Sequence, residues 1–143
     1  MRTIYWVWSM LLFAAIVLQV GFAGYGAFYA AHKLDDEGST IDDDVFLDGF
    51  GIHVGFGYLV VLLGLVFVAI GVIAGIGRWR LGRHGLLSGL LILQVILAWI
   101  GFGVPALGFL HPVNALLLFA LAGSIVWDQW RLRRGTPSTA PAV

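Results

Sequence analysis

The sequence predicts an all-α integral membrane protein, a bundle of four transmembrane helices built from two tandem helical hairpins. Three observations predict it. The composition is 60% hydrophobic and only 11% charged, with a mean hydropathy of +0.96, which leaves too little polar surface for a fold immersed in water. Four apolar runs, residues 4–31, 50–77, 86–102 and 109–127, are long enough to cross a hydrocarbon core that takes about 20 helical residues. Finally, residues 18–26 read LQVGFAGYG and residues 93–101 read LQVILAWIG, so Gln19, Ala23 and Gly26 fall where Gln94, Ala98 and Gly101 fall. Each of these segments is followed by an apolar run with a histidine near its start, His53 and then His111. The chain reads as one two-helix unit used twice.

Within lipid the backbone has no water to bond, so each run must be helical. The first run is longer than the apolar stretch of about 7–15 residues in a signal peptide, and it matches the third, so it is expected to be retained. It carries Gln19 at lipid depth below a cluster of small residues, Gly21, Ala23, Gly24, Gly26 and Ala27, which lets helices approach closely. Residues 32–48 form an acidic loop with Asp35, Asp36, Glu37, Asp42, Asp43, Asp44 and Asp48 offset only by Lys33. Their spacing is not that of a calcium loop, and a solvated charged loop is the expected reading.

The second run carries His53, about 7.5 Å in from Asp48 at about 1.5 Å per residue. Gly57 and Gly64 follow on the same helical face. Residues 77–85 form a basic turn in which His84 is expected to be a surface histidine. The third run repeats the Gln-Ala-Gly face and is broken by Gly101, Gly103 and Pro105. In the fourth, Pro112 is tolerated in the first turn, and His111 is followed by Ala115 and Ala122 at the spacing of Gly57 and Gly64 from His53. The transmembrane domain thus covers residues 1–134, and residues 135–143, polar and aperiodic, read as a disordered cytoplasmic tail.

Charge gives an orientation. Arg2, the trio Arg78, Arg80 and Arg83, and the trio Arg131, Arg133 and Arg134 all lie at alternate helix ends, so the positive-inside rule places both termini in the cytoplasm and the protein in the cytoplasmic membrane. Trp6, Trp8, Trp79, Trp127 and Trp130 suit the inner interface and Trp99 the outer one. The chain has no cysteine, which excludes disulfides, thiolate-held metals and covalent c-type haem attachment.

The second and fourth runs go in the same direction, and each histidine lies near the outer end, so the two imidazoles should sit at similar depth. That arrangement suits ligation of one metal from opposite sides by His53 and His111. Neutral imidazole is a good axial ligand for haem iron, and two of them leave no open position, which suits electron transfer. Gly57 and Ala115 head small-residue stripes that would give a flat ligand clearance or simply allow tight packing. Gln19 and Gln94 either orient the ligand sphere or join helices, and Asn114, three residues after His111, is similarly open.

The pattern Q-x-x-x-A-x-x-G, a short Pro-containing turn and then LHPVNALLLFAL resembles the third and fourth helices of each four-helix half of haem A synthase. LQVGFAGYG and the helix around His53 are similar to the first two. The chain also resembles small four-span bacterial membrane proteins of unassigned function. The synthase resemblance implies a four-helix bundle with His53 and His111 at the positions of the paired haem-ligating histidines. The chain departs from the family in having one half instead of two, Phe50 where the E-x-x-H motif has glutamate, and no outer-loop cysteine pair. An electron carrier is therefore expected rather than a synthase, with haem b between His53 and His111 and Gln19, Gln94, Gly57 and Ala115 lining the site. The expected partners are the lipid bilayer, a quinol or other redox partner and further copies of the chain in a homo-oligomer, with no nucleic acid. A cofactor-free structural or accessory subunit and a small transporter or quinone-binding protein are the alternatives.

Overall fold

The computed structural model describes residues 2–35, 38 and 40–135, so the tail expected at 135–143, apart from Gly135, and the acids Asp36 and Glu37 lie outside the described residues. Among the described residues five helices follow one another: α1 (Arg2–Lys33), α2 (Asp43–Ile73), α3 (Arg78–Gly103), a four-residue α4 (Pro105–Gly108) and α5 (Leu110–Arg134). All but α4 are long and apolar enough to cross a membrane. Only 22% of the most apolar window of each is buried inside the bundle. The rest of that apolar surface faces outward, as lipid permits and water does not.

The four long helices form a ring in which α1 packs on α2, α2 on α3, α3 on α5 and α5 on α1. The diagonal pairs, α1 with α3 and α2 with α5, have no Cα atoms within 8 Å of each other among the described residues. Inward positions follow helical spacing: Tyr5, Leu12, Ile16 and Gln19 on α1; Val60, Gly64, Phe67 and Gly71 on α2; His84, Leu87, Ser88 and Leu91 on α3; Asn114, Leu118, Ala122 and Ile125 on α5.

Several boundaries differ from the sequence expectation. The second helix starts at Asp43, not near Phe50, because the Asp42 carboxylate caps it by accepting from Val45 N at 2.9 Å while Asp43 and Asp44 complement the helix dipole in the first turn. His53 therefore stands about three turns into α2 instead of at its start. The basic segment 77–85 is mostly not a turn: the chain reverses over residues 74–77, where Gly75 and Gly77 take φ of 61° and 84°, and α3 then carries all three arginines. The break after Gly103 is as expected, with Pro105 opening α4.

His84 is the clearest correction. It is not a surface residue but only 1% exposed, stacked on Phe67 at 4.0 Å and hydrogen-bonded through Nε2 to the Tyr5 hydroxyl at 2.6 Å. Nearby, Arg83 pairs with Asp128 and donates to Ser124 Oγ, tying α3 to α5 at the basic end. Trp8 donates to the Leu63 carbonyl and Ser88 to that of Gly64, so two further polar groups join neighbouring helices.

At the acidic end both hairpins close on glycines. Gly26 lies against Gly49, and Gly101 against Gly108, where a Cβ on Gly101 would fall 2.8 Å from the Gly108 Cα. Backbone cannot yield there as a flexible side chain would. Gly101→Ala is expected to lower stability by about 1–3 kcal/mol in a detergent-solubilised thermal melt. Gly21→Ala, with nothing within 4 Å of its added carbon, is expected to be neutral; equal losses in the two variants would contradict the close approach.

Candidate functional site

Four of the residues expected at a site come together in two pairs. In the first hairpin, Gln19 Nε2 donates to the His53 carbonyl at 2.6 Å, and His53 Nδ1 lies 3.1 Å from the Gln19 carbonyl. In the second, Gln94 Nε2 donates to the His111 carbonyl at 3.0 Å, and His111 Nδ1 lies 3.0 Å from the Gln94 carbonyl. A backbone carbonyl only accepts, so Nδ1 must be the protonated nitrogen in both rings. The neutral tautomer then leaves the Nε2 lone pair for another partner. Among the described residues, neither Nε2 makes a hydrogen bond.

Each carbonyl stands inside a helix, where it also serves the backbone ladder, and uses its second lone pair for the side chain across the hairpin. The two bonds of each clasp run in opposite directions, so a shift of either helix along its axis strains both. Register within each hairpin is thereby fixed, and with it the depth of the ring.

The two rings meet across the diagonal of the bundle, His53 from α2 and His111 from α5. Their centroids are 6.3 Å apart and their planes inclined at 69°. Phe50 presents its edge to His53 at 6.3 Å. The contiguous buried core lies entirely to the basic side of this level, ending at Ile16, Val60, Leu91 and Leu118. On the acidic side, Phe22, Phe50, His53 and His111 are only partly buried.

The remaining candidates sit differently. Gly57 is taken up by the first clasp, since a Cβ there would lie 2.9 Å from Gln19 Nε2. Gly64 receives Leu91 and Ser88, and Ala122 belongs to the core. The stripes beneath the histidines are thus filled by protein, and the expected clearance for a flat ligand along them is not there. Ala115 is half-buried, one turn below His111.

Asn114, left open by the sequence, is part of the second clasp: its Nδ2 donates to Gln94 Oε1 at 2.6 Å and to the Leu90 carbonyl at 2.9 Å. The corresponding position after His53 is Phe56, which packs edge-on against Phe22, and Gln19 Oε1 is buried without a protein partner. His84 was missed because the arginines around it suggested a turn. Its spacing to Leu87, Ser88 and Leu91 is the signal that marks it as inward-facing.

Among the described residues no three His, Cys, Asp or Glu side chains gather in a group able to hold a metal ion. Two imidazoles alone do not complete the four ligands of a zinc site. Set against family models, curated proteins and solved structures, the chain has no match in any of the three.

Because Gln94 Oε1 also accepts from Asn114 whereas Gln19 Oε1 has no protein donor, the second clasp carries one more bond. Gln94→Leu is expected to cost about 1–2 kcal/mol, more than Gln19→Leu, in reversible unfolding from mixed micelles. The reverse order would show that the Asn114 bond adds nothing.

Proposed function

We propose that this chain is a membrane-embedded b-type haem protein in which His53 and His111 are the two axial ligands, and that it carries electrons between a quinol and an acceptor on the acidic side. The observation that carries the reading is the 6.3 Å separation of the two rings, each with Nδ1 occupied and Nε2 free of hydrogen bonds. Two imidazoles bound trans to one metal at about 2.0–2.1 Å per bond hold their ring centroids about 6 Å apart. A metal with only two protein ligands must bring its own in-plane donors, and haem iron does.

When bound, haem supplies a one-electron iron couple. The protein's part is positional and electrostatic. The Gln19 and Gln94 carbonyls hold the Nδ1 protons, which fixes the tautomer, orients each ring and makes Nε2 more basic. Held by both His53 and His111, haem would have no open position for a small oxidant, which would favour electron transfer over oxygen chemistry. The termination of the packed core at the level of the histidines supports a bulky apolar ligand on their acidic side. The reciprocal Gln–His bonds made in both hairpins further support a duplicated unit, and the arginines at one end support that end as cytoplasmic.

A cofactor-free structural subunit is the second reading, favoured by the fact that both glutamine amides already bridge helices. The two readings separate on titration of purified protein with haemin. A single equivalent is expected to give a sharp Soret band, and His53→Ala or His111→Ala to lower haem affinity at least tenfold while the helical circular dichroism is retained. An unchanged band in either variant removes that residue as a ligand, and a wild-type protein that stays colourless favours the structural subunit.

A further inference from the structure

The basic end of the bundle carries a second feature, unconnected with the imidazoles. Between α1 and α5 lies an almost wholly apolar groove of about 290 Å³, close to the lower end of the range of small-molecule sites, about 300–1,000 Å³. Trp6, Met10, Phe13, Val126 and Trp130 line it, and Gly123 keeps its α5 wall low. A Cβ on Gly123 would reach only the Phe13 ring, at 3.4 Å, so larger side chains there project into the groove.

Two observations say what the groove takes. Arg133 lies over the Trp6 ring, 4.4 Å from its centroid, and Arg134 over the Trp130 ring at 3.9 Å. Both rings line the groove, so both guanidinium groups stand at its rim. Stacking engages the face of a guanidinium and leaves its N–H edge for a phosphate. The nearby carboxylate of Asp128 is paired with Arg83, so it does not neutralise them.

We infer that this groove seats an acyl chain of an anionic phospholipid, with the phosphate held by Arg133 and Arg134. Basic pockets between transmembrane helices select such headgroups by charge. A second copy of the chain is disfavoured as occupant because it would bring like charges together. Quinol is disfavoured because Gly123 is twelve residues along α5 from His111, about 18 Å at about 1.5 Å per residue, and a neutral ring makes no use of the arginines.

The inference does not depend on haem binding and is tested without it. The protein is reconstituted in nanodiscs of equal phosphatidylglycerol and phosphatidylcholine, re-extracted in mild detergent, and its retained lipid quantified by mass spectrometry. Wild type is expected to retain phosphatidylglycerol at least fivefold over phosphatidylcholine. Gly123→Leu, which leaves every charge in place, and the pair Arg133→Gln with Arg134→Gln should each bring the ratio close to one. Should Gly123→Leu fail to fold by circular dichroism, Val126→Phe fills the same groove and serves instead. An undiminished ratio in a folded groove-filling variant, or equal retention of the two lipids by wild type, overturns the proposal. So does a wild-type dimer in light scattering that Gly123→Leu converts to monomer, which would make a second copy the occupant.

Discussion

The structure depends on a pair of hydrogen bonds made twice. In each hairpin a glutamine amide reaches the carbonyl of a histidine while that histidine's Nδ1–H reaches the carbonyl of the glutamine. In a lipid environment there is no hydrophobic force to hold one apolar helix against another, so packing and interhelical hydrogen bonds must set the register. The clasps do so at one level of the bundle, and the glycine pairs Gly26 with Gly49 and Gly101 with Gly108 allow the backbones to close just beyond it. The same bonds that fix the helices fix the tautomer of the rings. Structural and chemical roles are therefore not separable at Gln19 and Gln94.

The bundle divides into two halves along its axis. Toward the basic end, Phe67, Leu12, Leu87 and His84 are sealed into a continuous core with Tyr5, and the arginines and tryptophans ring its surface. Toward the acidic end the core stops, and the inward residues are aromatic, partly buried and arranged around two imidazoles. A tightly packed half thus supports a half held together by aromatic contacts, Phe46 with Phe102 and Phe50 with His53. Between α2 and α5, which have no Cα atoms within 8 Å of each other, the two histidine rings meet across the diagonal.

Much of this was legible in the sequence. Four spans follow from hydropathy, and the matching positions of Gln19 and Gln94, each followed by a run with a histidine near its start, single out the residues that meet without saying that they bond to each other. What was not legible has physical causes. The α2 start was placed too late because acids suggest a loop, although Asp42 is a capping residue and Asp43 and Asp44 favour a helix N-terminus. His84 was hidden by its arginine neighbours, whose long side chains leave a helix end for solvent while the ring faces inward. At Gly57 two readings stay open in the sequence because clearance on a helix face says that something fits there without saying what, and the occupant is the Gln19 amide. The bond from Asn114 to Gln94 depends on a rotamer across two helices, which spacing along one chain does not encode.

The central claim is that the two facing imidazoles complete the coordination of one haem iron, and electron paramagnetic resonance of the oxidised, haem-loaded protein tests it most directly. Planes inclined at 69° predict a low-spin ferric signal of the strongly anisotropic kind given by two axial imidazoles set close to perpendicular. A high-spin axial signal, showing one ligand or none, would contradict the account.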